Sequence, residues 1–422
     1  MIRRMRWVLL GLISLAFAIN FVDRQTLSTI APLLRDELHL SNTDYSFIVA
    51  SFLLGMAIFQ VPIGALMDRL GPKAGFAIIF TWWSVASALH AFARTAVQFC
   101  GLRFLLGAGE CGSYSGGLKS ISQWFPTEER ALAGGIFNSA LFVGSAVAPP
   151  VVVWLTIHFS WHMAFLLPGT IGLAWLIVWF GLFPREAETG NRKPDNKLSP
   201  GLGIPRVATR DLLRKRQTWA AILVRSSGAP LFHFYSFWLP EYLKREQHID
   251  LATVGAVAWI PFLFAGLGNV LGGLLSIYLL RRGCSLTFSR RLPYIIGDGL
   301  AAASSLVVMV MPSLWLAITM LSIATLGANL VEPNFIGLIG DIFPEHTVGR
   351  ITGITGVGDN VVSICLMLTA GIVLDRFSYV PVFVSASLLA ILQVVFVIWL
   401  IGPVKRIDLA MPAAAVVQAK ER

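Results

Sequence analysis

The sequence predicts an all-α membrane protein with twelve transmembrane helices arranged in two six-helix halves. Of its 422 residues, 56% are hydrophobic and only 13% are charged, whereas a soluble protein carries roughly 25% charged residues. Apolar segments long enough to cross a bilayer, about 20 residues each, recur along the whole chain. A polar stretch near the middle carries nine Lys and Arg residues and leaves six apolar segments on either side.

The twelve spans are placed by locating the apolar runs between charged or turn-forming stretches. The first run follows a basic start at residues 1–6 and has no clear small-residue cleavage site after it. We therefore interpret it as a retained span and not as a signal peptide. The predicted spans are 7–33, 45–67, 74–93, 96–118, 131–157, 163–183, 218–239, 252–280, 292–312, 314–338, 351–374 and 380–402.

These spans define an N-terminal half at 1–183, a linker at 184–217, a C-terminal half at 218–404 and a tail at 405–422. With both termini in the cytoplasm, 25 of the 33 Lys and Arg residues lie on the cytoplasmic side and five on the opposite side. Cytoplasmic loops are enriched in these residues, so we predict this orientation. The same asymmetry explains the net charge of +10 without a nucleic-acid partner.

Nothing in the sequence indicates an enzyme. The four cysteines show no CxxC spacing, and no nucleophile motif, metal-ligand cluster or cofactor-binding loop is recognisable. We therefore predict no catalytic residue, no metal and no cofactor. We expect the protein to act as a monomer in the lipid bilayer.

Two charged residues interrupt the fourth span. Arg103 and Glu110 are seven residues apart, which places them two turns apart on nearly the same helix face. Each charge costs roughly 2.5–3.5 kcal/mol at bilayer depth, which favours a functional role. We interpret Arg103 as a contact for an anion and Glu110 as a group that takes up and releases a proton. The alternative is a structural ion pair that joins two helices. The small residues Gly112 and Gly116 nearby predict close helix packing.

A second pair of charges, Asp23 and Arg24, interrupts the first span. Adjacent residues of a helix point about 100° apart, so the two side chains can serve different partners. Arg24 and Arg103 are predicted to hold one substrate carboxylate, since a guanidinium suits two-point binding of that group. An anion that takes over an arginine leaves the acid beside it unpaired and able to bind a proton. The alternative is that Asp23 and Arg24 mark the outer end of a short helix.

The C-terminal half carries fewer charges within its spans. Glu332 is predicted to be a further proton-binding acid or a partner of Arg225, and Asp359 is interpreted similarly. Pro333 removes a backbone hydrogen bond and predicts a break in its helix. Other side chains are candidates for substrate contact, with helix-to-helix hydrogen bonds or interface anchoring as alternatives; they are Asn138, Tyr235, Trp238, Asn334 and Asn360.

The connection between the second and third spans resembles the signature loop of the major facilitator superfamily. It runs Gly64-Ala-Leu-Met-Asp68-Arg69-Leu-Gly71-Pro-Lys73, and its counterpart in the second half has Ile277 where an aspartate is usual. We interpret Asp68 and Arg69 as latches at the cytoplasmic edge that hold one gate. The resemblance implies two halves that rock around a binding site near the middle of the membrane.

A narrower resemblance, to the anion:cation symporter family, is carried by motifs in both halves. It implies anion recognition by Arg24 and Arg103 and proton coupling by Asp23 and Glu110. The stretch Gly134-Gly-Ile-Phe-Asn138-Ser is most similar to bacterial hexuronate and sugar-acid:proton symporters. The remaining motifs are Asn20-Phe-Val-Asp23-Arg24, Gly109-Glu110, Trp124-Phe-Pro-Thr-Glu-Glu-Arg130, Phe234-Tyr-Ser-Phe-Trp-Leu-Pro240 and Asp341-Ile-Phe-Pro344.

These features predict a secondary active transporter in the bacterial inner membrane. It is expected to take up an organic anion, a hexuronate or related sugar acid, together with protons and by alternating access, with the proton gradient as its driving force. One alternative is transport of another carboxylate, such as an aromatic acid, a dicarboxylate or an aldonate. The other is a membrane sensor that binds the anion without moving it. Phe21 favours an aromatic ligand slightly, whereas Asp23 and Glu110 argue against a sensor, which needs no proton carrier.

Overall fold

A computed structural model of the protein describes residues 2–182, 209–309 and 313–407, and every regular element in these ranges is helical. The predicted all-α membrane fold with two six-helix halves is confirmed. Most of the predicted linker at 184–217 and of the predicted tail at 405–422 lies outside the described residues.

The N-terminal half contains six helices and one short 3₁₀ turn. Its second and third predicted spans form a single long run, and its fourth is divided into two helices. The elements are α1 (Ile2–Leu38), α2 (Asn42–Leu89), the 3₁₀ turn (His90–Phe92), α3 (Ala96–Glu110), α4 (Ser113–Trp124), α5 (Thr127–His158) and α6 (Trp161–Leu182).

Local sequence signals account for where these helices begin and bend. Ser41 caps α2 because its Oγ accepts from the backbone N–H of Asp44 at 2.9 Å, while the Asp44 carboxylate accepts from the Ser41 N–H at 3.0 Å. Within α2, Gly71 has a φ of +73°, a conformation that costs glycine little. The chain therefore reverses direction between the second and third spans at this glycine.

The C-terminal half repeats the six-span arrangement with more interruptions. A short helix precedes its first span, and two of its spans are each built from two helices. The elements are α7 (Thr209–Leu213), α8 (Arg216–Glu246), α9 (Leu251–Val257), α10 (Trp259–Arg281), α11 (Leu286–Val308), α12 (Leu314–Leu330), α13 (Glu332–Ile342), α14 (Glu345–Arg376), α15 (Val380–Val395) and a π-helical end (Phe396–Ile401).

The break predicted at Pro333 is confirmed. Helix α12 ends at Leu330, and Pro333 stands in the first turn of α13, where a missing N–H costs no helical hydrogen bond. Glu332 is thus the first residue of a new helix inside the bundle. Its side chain is 35% exposed.

Nine helical segments in the described ranges are long and apolar enough to cross a membrane by length and composition. The three other predicted spans correspond to α3 with α4, to α8 and to α11. They contain Arg103 and Glu110, Arg225, and Asp298 respectively. The three spans that hydropathy identifies least easily thus all place charged residues inside the bundle.

The two halves pack against each other mainly along four pairs of helices. Helix α1 lies against α8, α2 against α14, and α5 against α9 and α10. We call the face of the bundle at which α1 begins the near face, and the face at which α1 ends the far face. At the far face Arg35 forms an ion pair with Glu241, and Arg245 contacts Asp36 at 2.5 Å. These ion pairs join the halves at the far face.

Candidate functional site

The first polar cluster joins α1 to the end of α3 inside the N-terminal half. The Nε and Nη2 atoms of Arg24 donate to the same Glu110 oxygen, Oε2, at 3.2 and 3.0 Å. The Arg24 side chain is 10% exposed and that of Glu110 is fully buried. We call Asp23, Arg24, Arg103 and Glu110 the N-terminal cluster. It contains both acids and both arginines that the sequence predicts for this half.

Arg103 is the least satisfied member of the N-terminal cluster. Its Nη1 is 3.5 Å from the carbonyl oxygen of Arg24, while Nε and Nη2 have no hydrogen-bond partner among the described residues. The residue is fully buried. A buried guanidinium with free donors is costly, and an anion that occupied those donors would remove the cost. The helical spacing places Arg103 and Glu110 on one face, but the hydrogen bonds of Glu110 come from Arg24.

Each acid of the N-terminal cluster also keeps one unused oxygen. Asp23 accepts from Ser87 through Oδ1 at 2.6 Å, whereas its Oδ2 has no partner in the part of the chain that the structure describes. Glu110 uses Oε2 for Arg24, and its Oε1 is likewise without a partner there. Both carboxyl groups are buried. Each therefore has an oxygen at which a proton or a ligand donor can be accepted.

Two aromatic rings lie against the arginines of this cluster. The guanidinium carbon of Arg24 is 4.4 Å from the ring centroid of Phe21 and 5.0 Å from that of Phe52, and Arg103 is 6.0 Å from Phe52. Such cation–π contacts stabilise a cation by about 0.5–2 kcal/mol. Phe52 contacts both arginines, yet an apolar residue within an apolar span gives no sequence signal of this role. Phe21 covers Arg24 and is itself buried.

The second polar cluster lies in the C-terminal half, where α8, α13 and α14 meet. Nη1 of Arg225 is 2.5 Å from the Glu332 carboxylate, and Nε of Arg225 is 3.6 Å from Asp359. The Arg225 and Glu332 side chains are 25% and 35% exposed. The Phe335 ring lies 5.3 Å from the Arg225 guanidinium. We call Arg225, His233, Glu332 and Asp359 the C-terminal cluster. The sequence predicts that Glu332 is either a proton-binding acid or a partner of Arg225. In the structure it is paired with Arg225.

His233 lies beside Asp359 and Ser363 in the C-terminal cluster. Its Nδ1 is 3.1 Å from the Ser363 hydroxyl and 4.0 Å from Asp359, and the same hydroxyl donates to Asp359 at 3.1 Å. Helix α8, which carries His233 and Arg225, packs against α1, which carries Asp23 and Arg24. The clusters therefore face each other across the contact between the halves. Ser363, a small polar residue in an apolar span, was not singled out by the sequence analysis.

The three asparagines predicted as substrate contacts have different environments. Asn334 is buried and donates to the carbonyl oxygens of Gly272 at 3.0 Å and Leu330 at 3.2 Å, which links α13 to α10 and α12. Asn360 donates to Gly356 within its own helix at 3.0 Å. Asn138 is half-buried on α5. The side-chain amide nitrogens of Asn334 and Asn360 therefore donate hydrogen bonds to helix backbones.

Tyr235 and Trp238 of α8 are buried between helices. Tyr235 shares a hydrogen bond with the Ser305 hydroxyl of α11. Trp238 is fully buried and meets the Tyr45 ring edge-on, with 5.0 Å between centroids. Tyr45 in turn donates to the carbonyl oxygen of Phe237 at 2.7 Å. In this structure the two aromatics join helices and do not belong to either cluster.

The predicted gate residues lie at the end of the second span. Arg69 is exposed at the near face on α2. The Asp68 side chain lies outside the described residues. Next to them, Lys119 of α4 donates to the carbonyl oxygen of Met67 at 2.9 Å. This contact ties the near end of α2 to α4.

A buried acid without a hydrogen-bond partner among the described residues escaped the sequence analysis. Asp298 on α11 is 1% exposed, and neither of its carboxyl oxygens has a hydrogen-bond partner among the described residues. One turn earlier, the Tyr294 hydroxyl is also buried without a partner in those ranges. Asp298 stands between Gly297 and Gly299, and a single acid flanked by small residues gave no motif. In the described part of the chain, no group of three or more His, Cys, Asp and Glu side chains is arranged to hold a metal ion.

Comparisons with known proteins agree with this architecture. The family model of the Major Facilitator Superfamily matches residues 13–288 and 283–416. A hexuronate transporter of Escherichia coli (strain K12) is 29% identical over 408 residues, which cover 94% of each chain. A probable galactarate/D-glucarate transporter of the same organism is 30% identical over 433 residues, 96% of each chain. A bacterial homolog of the human lysosomal transporter Spinster, in an inward-facing and unoccupied conformation, superposes with a TM-score of 0.70 at 18% identity over 95% of each chain.

Proposed function

Since the chain belongs to the Major Facilitator Superfamily, we propose that it is a proton-coupled symporter that takes up a hexuronate or a related sugar acid. The family is one of membrane transporters, so the protein is a transporter and not an enzyme. Alternating access would expose the two clusters first to one face and then to the other. The far-face ion pairs, Arg35 with Glu241 and Arg245 with Asp36, would break and re-form in each cycle.

The observation that carries this proposal is the unsatisfied guanidinium of Arg103. Two of its donors are buried without a partner in the described ranges, and the backbone of Arg24 lies beside them. A carboxylate matches such a pair of donors in shape and charge. The similarity to proteins named as hexuronate and galactarate/D-glucarate transporters supports a sugar acid as the molecule that bears this carboxylate.

Proton coupling follows from competition for Arg24. A substrate carboxylate that draws Arg24 toward itself would remove the partner of Glu110. A buried carboxylate without a counter-ion is unfavourable, and binding a proton neutralises it. Anion and proton would then enter together and leave together. Asp23, with one free oxygen, is a second candidate for the same step. Glu332 pairs with Arg225, an arginine that a carboxylate bound at the N-terminal cluster would not draw away.

We further propose that the near face is cytoplasmic and that the protein works as a monomer in a bacterial inner membrane. The Lys and Arg bias of the loops supports this orientation. Asp68 and Arg69 would then latch the cytoplasmic gate. Replacing Asp68 by Asn should slow transport more than it weakens substrate binding; an equal fall in both would assign Asp68 to the fold or the site instead.

Uptake into proteoliposomes tests the proposed function. Purified protein is reconstituted, and accumulation of hexuronates, aldonates and aromatic acids is measured with and without an imposed proton gradient. We expect a sugar acid to be concentrated only when the gradient is present, and an uncoupler to abolish the accumulation. Uptake that ignores the gradient, or transport restricted to aromatic acids, would contradict the proposal. Binding without any transport would favour the sensor alternative.

A further inference from the structure

The charge balance differs between the two clusters that a substrate would contact. The N-terminal cluster contains two arginines and two acids, so it is formally neutral and becomes +1 when one acid binds a proton. In the C-terminal cluster a single arginine, Arg225, faces Glu332 and Asp359. With His233 neutral, that cluster carries a formal charge of −1. The two ends of the site therefore favour chemically different ends of a ligand.

Arg225 is committed to its two acids. It contacts Glu332 through Nη1 and approaches Asp359 through Nε. It is also the one Lys or Arg residue that the predicted spans of the C-terminal half contain. Nearer the near face, Arg290 is engaged in the same manner with Asp341 at 2.7 Å. A second carboxylate on the substrate would thus meet an acid-rich surface whose arginine is already neutralised, and like charges brought together repel.

The same surface suits hydroxyl groups. An ionised carboxylate only accepts hydrogen bonds and has about four acceptor positions. Arg225 and Ser363 occupy some of those positions on Glu332 and Asp359, and Glu332 remains 35% exposed. The sugar hydroxyls of a uronate or an aldonate are donors that can fill the remaining positions.

We propose that the site selects sugar acids with one carboxylate, uronates and aldonates, against aldarates with two, and that Glu332 and Asp359 determine this specificity. The carboxylate lies at the N-terminal cluster, and the hydroxylated end lies at the C-terminal cluster. This inference rests on the proposed function, since it assumes that the clusters bind a sugar acid. It separates the chain from its relative named as a probable galactarate/D-glucarate transporter.

Three C6 acids of the galactose series test the selection. Binding of D-galacturonate, D-galactonate and galactarate to the purified full-length protein is measured by calorimetry, and proton-driven uptake of each is followed in proteoliposomes. Galactarate should bind at least about tenfold more weakly than the better monocarboxylate. Equal or tighter galactarate binding overturns the inference while leaving the proposed function intact. Failure of all three acids to bind removes the proposed function and the inference together.

Two substitutions test the residues. Glu332→Gln and Asp359→Asn each remove one negative charge and leave part of the Arg225 charge uncompensated, so the ratio of galactarate to galactonate affinity should rise at least about fivefold in either variant. Asp341→Asn removes the same charge from the Arg290 pair outside the site and should leave the ratio unchanged. Because the ratio is taken within one preparation, it does not depend on how much variant folds. An unchanged ratio in folded Glu332→Gln and Asp359→Asn overturns the assignment, as does a matching rise in Asp341→Asn.

Discussion

The N-terminal and C-terminal clusters occupy similar places in the two halves but differ in composition and burial. Arg24 and His233 each lie about four turns before the ends of their helices, Leu38 and Glu246, so an arginine in one half corresponds to a histidine in the other. The Arg24–Glu110 pair is 10% and 0% exposed, whereas the Arg225–Glu332 pair is 25% and 35% exposed. The helical arrangement is repeated in the two halves, but the charged residues inside it and their exposure differ.

This difference suggests a division of labour. Desolvated charges interact strongly and respond strongly when a partner is lost, so the N-terminal cluster is suited to exchanging an anion for a proton. The more accessible C-terminal cluster is suited to recognising the polar groups of a ligand. Substitutions matched between the clusters separate these two roles.

The largest effect is expected from Arg103→Lys. Lysine keeps the charge but cannot present the planar pair of donors, and it would remain buried. Substrate binding should weaken by about 100-fold or more, roughly 3 kcal/mol, measured by calorimetry. Arg130→Lys is the control, since the contacts of Arg130 within the described ranges are with the carbonyl oxygens of Phe125 and Ser122. Wild-type affinity in Arg103→Lys would remove Arg103 from the binding site.

A smaller effect is expected from the same change at Arg225. Its contacts with Glu332 use the single atom Nη1 at 2.5 Å, a point-charge interaction that lysine can largely reproduce. Substrate affinity in Arg225→Lys should fall by less than about tenfold. A loss as large as that of Arg103→Lys would mean that both clusters hold carboxylates, and the contrast between them would fail.

The smallest effects are expected from the aromatic rings. Phe52→Leu removes a cation–π contact from Arg24 and from Arg103, whereas Phe335→Leu removes one from Arg225. The first should weaken binding by about fivefold, roughly 1 kcal/mol, and the second by less. Melting temperatures of both variants separate this effect from a loss of stability. A larger binding loss in Phe335→Leu would reverse the assignment.

The sequence was sufficient for the fold because the fold depends on local properties. Apolar runs of span length can be recognised within one stretch of the chain, and the break at Pro333 and the turn at Gly71 each depend on a few neighbouring residues. Buried charges such as Asp23 and Arg103 were recognisable because they are rare in apolar spans. Their pairing was not: helical spacing relates Arg103 to Glu110 on one helix, but the hydrogen bonds to Glu110 come from Arg24 on another.

Residues without unusual composition stayed hidden in the sequence. Phe52 touches both arginines only because α2 crosses beside α1 and α3, and Ser363 joins His233 to Asp359 through tertiary packing. Conversely, Tyr235 and Trp238 stood out as polar aromatics, yet they are buried between helices. Interhelical geometry, which one sequence does not contain, decides each of these cases.

Glu110→Gln tests most directly whether the N-terminal cluster exchanges an anion for a proton. The amide keeps the size of the side chain but cannot ionise. Proton-driven accumulation and counterflow are measured in the same vesicles, with Asp23→Asn and Glu332→Gln beside it. We predict that Glu110→Gln loses accumulation and retains counterflow, while Glu332→Gln still accumulates substrate. If Glu110→Gln still concentrates substrate when a proton gradient is imposed, Glu110 does not couple the proton. If Glu332→Gln loses accumulation instead, proton coupling lies in the C-terminal cluster.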